Sequence, residues 1–206
     1  PEALARDWQG DTKAVVAVAY AGQSADMPAI AEIAHTRGAI VIEDGCHGTG
    51  GGFTHQGKDY KIGGHPWADM TTFSFHPVKT MTTGEGGMLV TDNDQYAHTA
   101  RMLRSHGITR NAEEFIGLVD PDISDSSNPS PAITNQSTTS HLPSPALAER
   151  GPWYYEMQHL GFNFRITDLQ CALGRSQLKR LSEFVSRRRE IVARYNDALG
   201  GLPWLE

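Results

Sequence analysis

The chain has 206 residues, 39% hydrophobic and 20% charged, with a net charge of −6 and a pI near 5.8. That length can bury one substantial core, and the acidic balance argues against a surface built for nucleic acid. No apolar stretch approaches the roughly 20 residues of a membrane span and no charged-then-apolar signal segment opens the sequence, so the expectation is a cytoplasmic protein with no membrane partner.

Ala14-Val15-Val16-Ala17-Val18-Ala19 is a continuous apolar run of the kind found in strands buried on both faces. Asp26 follows as an N-cap, Pro28 suits a first turn, and Gly38 ends the helix they open. Ala39 to Glu43 then form a second strand, which completes a βαβ unit with parallel strands and a right-handed crossover. Asp44 comes at that strand's carboxyl end, where open α/β sheets bind ligands. The glycine-rich loop after it, Gly45 to Gly52, has little side-chain bulk and could let a ligand approach the backbone.

Asp69 to Phe75 is β-branched and aromatic, and His76-Pro77 ends it as a strand. Lys79 therefore lies on the loop just past a strand. Thr82-Thr83-Gly84-Glu85-Gly86-Gly87 folds the backbone tightly before a second strand, Met88 to Thr91. A lysine amine is protonated at neutral pH and becomes a nucleophile only where neighbours or burial depress its pKa. Taken alone, Lys79 reads as an ordinary loop lysine.

Residues from about 117 to 150 are rich in Ser, Thr and Pro and supply little to a core, so they are expected to form either a mobile insertion or lid, or a disordered spacer with no role. Thr167 and Gln170 have capping-box spacing and open a helix through about Leu178. Leu181, Phe184, Val185, Ile191, Val192, Tyr195 and Leu199 continue at helical spacing, as a core or subunit-contact stripe. Arg187-Arg188-Arg189 falls on the solvated face of the same pattern. The two cysteines, Cys46 and Cys171, are too few for a disulfide framework and are read as reduced thiols.

Five separated segments carry a resemblance: Ala21-Gly22-Gln23 with Asp26, Glu43-Asp44 with His47, the Ser74 to Gly87 block with Lys79, Arg104 to Ile108, and Gly161 to Gly174. In this order they resemble the DegT/DnrJ/EryC1/StrS family of sugar aminotransferases, which use pyridoxal 5′-phosphate (PLP). The resemblance implies an α/β fold, the fold-type-I PLP-transferase large domain with a mostly parallel or mixed sheet flanked by helices, incomplete at both ends. It divides the chain into a large-domain part (1–116), the polar insertion (117–150), and an interface loop with helices leading toward a small domain (151–206).

By the same resemblance Lys79 is the Schiff-base lysine and proton carrier, and Asp44 is the carboxylate paired with the pyridine nitrogen. His47 stands beside the ring's 3′ oxygen, and Ser74 donates to the phosphate. Asn163 reaches the cofactor and Arg165 the substrate across a homodimer interface, with His76 also toward substrate. Gly151-Pro152-Trp153-Tyr154-Tyr155-Glu156-Met157-Gln158 and the Leu160 to Asn163 segment are similar to the branch that aminates C4 of UDP-4-keto-6-deoxy-N-acetylhexosamines with L-glutamate, a branch that serves pseudaminic-acid assembly.

Other chemistries fit less well. The related sugar 3-dehydratases replace the Schiff-base lysine with histidine, and Lys79 argues against them. No string Gly-x-x-x-x-Gly-Lys followed by Ser or Thr occurs, and Cys46, His47, His55 and His65 follow no common zinc spacing. The alternative from another class is a non-catalytic piece of such an enzyme that folds or dimerises without binding PLP.

Overall fold

Strand formation follows the apolar runs. The computed structural model describes residues 1–111, 114–115 and 153–202; the expected insertion at 117–150 lies outside them. A short helix α1 (Glu2–Arg6) precedes β1 (Ala14–Val18), α2 (Met27–His35) and β2 (Ile40–Asp44). The Asp26 carboxylate accepts the Ala29 amide at 3.3 Å and caps α2, as its position predicts. Then come a hairpin of β3 (Gly52–His55) and β4 (Lys58–Lys61), the strands β5 (Met70–Ser74) and β6 (Gly87–Val90), and helix α3 (Asp94–Arg104). Two-residue strands β7 (Ile108–Thr109) and β8 (Glu156–Met157) precede helices α4 (Asp168–Lys179) and α5 (Leu181–Leu199). Among the described residues no helix is long and apolar enough to cross a membrane.

The main sheet has the order β1-β2-β5-β6. β1, β2 and β5 run parallel, and β6 returns antiparallel to β5. Because side chains alternate, Ala17 and Val41 point to one face, where they pack with Met27, Ala31, Ala34 and Ala39. Met27 and Val41 are fully buried there. Removing a buried methionine leaves a cavity, so Met27→Ala should lower stability by about 2–5 kcal/mol in a urea titration.

The opposite face carries Val16, Ile42 and Met70 in one row and Val18, Asp44 and Thr72 in the next. Val16 is 60% and Val18 47% exposed. The continuous apolar run predicted cover on both faces; among the described residues only the α2 face has it, since one crossover helix can cover one side.

The fold divides into two compact units, Pro1–His98 with Arg165–Glu206, and Thr99–Phe164. In the second, His106 and Gly107 adopt left-handed backbone (φ 62° and 66°). The His106 amide donates to Phe162 O at 2.7 Å, Phe162 N to Leu103 O at 2.7 Å and Phe164 N to Arg104 O at 2.9 Å. A β-carbon on Gly161 would lie 2.2 Å from Gly107 N, so these two segments join by direct backbone apposition. Gly161→Ala should therefore destabilise this unit by more than about 2 kcal/mol, read by urea unfolding.

Candidate functional site

Asp44 closes β2, and Ser74 closes β5 on the same sheet face. In both cases strand parity sets the direction of the side chain, and the chain then turns away from the sheet. After Asp44 a turn forms: the Cys46 amide donates to Asp44 Oδ1 at 3.0 Å and Gly45 N donates to Thr72 O at 2.9 Å. The Asp44 carboxyl is held below the usual carboxylate range. The side-chain hydrogen bond from Cys46 is the largest cause, aided by the Cys46 amide and the charges of His47 and Lys79, while partial burial opposes them. The Cys46 thiol is pushed up, first by burial and then by Asp44.

Lys79 is thus close enough to Asp44 to act on its charge, although 35 positions separate them in the chain. The lysine sits in a turn after β5, with its amide donating to His76 O at 3.0 Å. Ser74 Oγ accepts the His76 amide at 3.3 Å, which leaves its hydroxyl proton free to donate. His47 is exposed; its Nδ1 accepts the Ala21 amide at 3.2 Å, so the neutral ring carries its proton on Nε2. The Ala21-Gly22-Gln23 segment thereby orients a histidine 26 residues later. His76 Nδ1 accepts the Val78 amide at 3.3 Å, and its Nε2 lies 3.9 Å from Glu85 Oε1.

The turn after Lys79 is braced by α4. Thr167 and Gln170 form the capping box predicted for this helix. The Gln170 amide group donates across to Glu85 O at 2.8 Å. Buried Gly174 admits Thr83: a β-carbon there would sit 2.8 Å from the Thr83 methyl. Gly174→Val should overpack this contact and cost about 1–3 kcal/mol in chemical denaturation.

The structure brings Asp44, His47, Ser74 and Lys79 to the carboxyl ends of β2 and β5. Asn163 belongs to the Thr99–Phe164 unit, where it bridges Ser105, and Arg165 is exposed at the start of the segment leading to α4. Arg165 makes no hydrogen bond or ion pair to Asp44, His47, Ser74 or Lys79 among the described residues. The glycine loop after Asp44 differs from its expected role. A β-carbon on Gly45 would meet Ile62 and Phe73 at 2.9 Å, and one on Gly48 would meet Ile62 at 2.4 Å. These glycines make room for the protein's own Ile62 and Phe73.

The motif pattern passed over Cys46 as a partner of the carboxylate. The signal was present in spacing, since a residue two past an Asp can turn its amide back to that carboxylate. Among the described residues no group of three or more His, Cys, Asp or Glu is placed to hold a metal ion.

The donor set fits PLP: a carboxylate kept ionised suits a protonated ring nitrogen, a neighbouring primary amine suits a carbonyl, and free N–H and O–H donors suit oxygen atoms. The Asp44 charge makes a testable case. Its folded-state pKa is lowered, so its stabilising contribution is full above the ordinary carboxylate pKa of about 3.9 and is lost as pH falls through the lowered value. Cys46→Ala removes the largest cause and should raise the Asp44 midpoint, read by carbon-13 NMR titration of the carboxylates.

Curated relatives include the spore coat polysaccharide biosynthesis protein SpsC of Bacillus subtilis, 37% identical over 194 residues, covering 94% of this chain and 40% of that protein. Another is the uncharacterized protein MJ1066 of Methanocaldococcus jannaschii, 34% identical, covering 94% of this chain and 41% of that protein. The chain thus spans about 40% of the length of the curated relatives it matches. Among solved structures, Helicobacter pylori PseC, an aminotransferase of pseudoaminic acid biosynthesis, superposes with a TM-score of 0.72 at 26% identity, over 98% of this chain and 42% of its own. The aminotransferase TlmJ of Streptoalloteichus hindustanus gives 0.71 at 27% identity, with the same coverage of 98% and 42%. The model of the DegT/DnrJ/EryC1/StrS aminotransferase family, whose enzymes depend on PLP, matches residues 1–206, and the chain belongs to that family.

Proposed function

We propose that this chain takes part in PLP-dependent transamination of a nucleotide-linked 4-keto-6-deoxy sugar, a UDP-linked N-acetylhexosamine, with L-glutamate as amino donor. The observation that carries the reading is the placement of Asp44 and Ser74 on one sheet face at the carboxyl ends of parallel β2 and β5, with Lys79 in the turn that follows β5. Family membership supports the reaction class, and the likeness to PseC supports the sugar.

PLP, when bound, supplies an electron sink for the carbon that carries the transferred nitrogen. Lys79 Nζ is the group that attaches the cofactor and moves the proton between reacting atoms. The Asp44 carboxylate receives the ring N–H and keeps that nitrogen protonated. His47 Nε2–H and Ser74 Oγ–H donate to oxygen atoms of the cofactor, and His76 faces substrate. Asn163 and Arg165 act across a homodimer interface, toward the cofactor and the substrate respectively.

The test is the visible absorbance of the protein with added PLP, before and after L-glutamate, beside Lys79→Ala. A band that needs Lys79 and bleaches with glutamate supports the reading. Its absence from both this chain and a full-length family protein carrying the same segment would sink it. One observation favours a second reading, in which these residues fold without binding PLP: the chain spans about 40% of the relatives' length. In that case the band appears in the longer protein and not in the 206-residue chain.

A further inference from the structure

Directly behind Asp44, on the other face of β2, Glu43 and His65 are both fully buried at the side chain, 0% exposed each. A buried carboxylate is costly unless its oxygens are satisfied. Glu43 Oε2 accepts the Gly63 amide at 2.8 Å and the Thr71 hydroxyl at 3.2 Å. Oε1 lies 3.2 Å from His65 Nε2, at ion-pair distance rather than as an aligned hydrogen bond. Neither atom has another hydrogen-bond partner among the described residues.

The histidine's tautomer is set from its other side. His65 Nδ1 accepts the Trp67 amide at 3.3 Å, so the neutral ring carries its proton on Nε2, facing Glu43. Phe53 and Trp67, with ring centroids 5.3 and 5.5 Å from His65, pack against the imidazole and restrict its rotation. One carboxylate therefore fastens three pieces of backbone: β2 through itself, β5 through Thr71, and the 63–65 turn through Gly63 and His65.

We infer that the buried Glu43–His65 pair is a positioning device for Asp44, fixing the rotation of β2 about its own axis and so the direction in which the next side chain leaves the opposite face. Consecutive strand residues point to opposite faces, so a side chain anchored on one side sets the aim of its neighbour on the other. The register places Glu43 beside Thr71 and Asp44 beside Thr72, and the anchor acts at the very end of the strand, where pairing stops and fraying begins. Neither Glu43 nor His65 touches the reacting atoms; both act through Asp44. The inference rests on Asp44 being the carboxylate of the proposed site.

The readout is amide hydrogen exchange of the cofactor-free full chain. The Cys46 amide is bonded to Asp44 Oδ1, so its protection reports the carboxylate's position. The Val41 amide, on β2 itself and bonded to the Asp69 carboxylate from the segment before β5, reports the strand's far end. Glu43→Gln presents an amide N–H toward His65 Nε2–H and should speed exchange at Cys46 by about tenfold while Val41 stays protected.

His65→Gln, whose amide N–H can replace the ring donor, should keep the protection, and His65→Leu should lose it. The histidine pair also serves if Glu43→Gln does not fold. Unchanged protection at Cys46, equal loss at Cys46 and Val41, or identical behaviour of His65→Gln and His65→Leu would overturn the inference. PLP is absent from this measurement, so its outcome is separate from whether a Lys79-dependent band exists.

Discussion

Lys79→Ala is expected to eliminate the glutamate-sensitive visible band of the PLP-loaded protein and to lower turnover by at least about 10³-fold. An alanine has no amine to attach a carbonyl cofactor and no group that can carry a proton between reacting atoms. The turn that holds residue 79 is built from its backbone amide to His76 O and from the α4 brace, neither of which uses the lysine side chain. The variant should therefore keep its thermal stability, and circular dichroism before and after heating checks that. Lys79→Arg is the companion. It keeps a positive charge near Asp44 but is too weak a nucleophile at neutral pH, so it should be as inactive as alanine. Normal transamination by either variant would sink the role given to Lys79.

The second large effect is expected at Asp44. Asp44→Asn retains an oxygen to accept the Cys46 amide and so preserves the turn, but it removes the negative charge. The ring nitrogen then has no anion to hold its proton, and turnover should fall by about 10²–10³-fold, the usual scale for deleting one preorganised electrostatic partner. PLP affinity should drop as well, measured by titration at the visible band. If Asp44→Asn bound PLP and turned over like the parent, the charge would be dispensable and the site reading would need another acid. Cys46→Ala, by contrast, should raise the Asp44 midpoint while leaving it ionised at neutral pH, so activity there should change little.

Much of the main sheet could be read from local pattern. The βαβ unit, the Asp26 cap, the Thr167–Gln170 capping box and the strand before Lys79 each rest on residues within a few positions of one another. The hairpin β3–β4 was not legible. Its strands are four residues each, polar on their exposed sides, and interrupted by glycine and histidine, so neither periodicity nor propensity marks them. They are held by Phe53, Tyr60 and Trp67, whose rings pack only after the chain has folded back. The α5 stripe was visible as a pattern, yet Val192 and Tyr195 remain exposed in this chain.

The candidate site divides the same way. Residue types were legible before folding: a carboxylate and a lysine, each just past an apolar run, in a motif order that marks the family. Folding added the parallel pairing of β1, β2 and β5 that sets Asp44 and Ser74 on one sheet face, with Lys79 close enough to act on the Asp44 charge. It also brought Ile62 against Gly45 and Gly48, which are small to admit it, and Glu43 to His65 behind the strand. The physical reason is that strand alternation and capping are set over neighbouring residues, whereas burial, charge pairing and close approach are set by segments twenty or more positions apart that only the folded chain brings together.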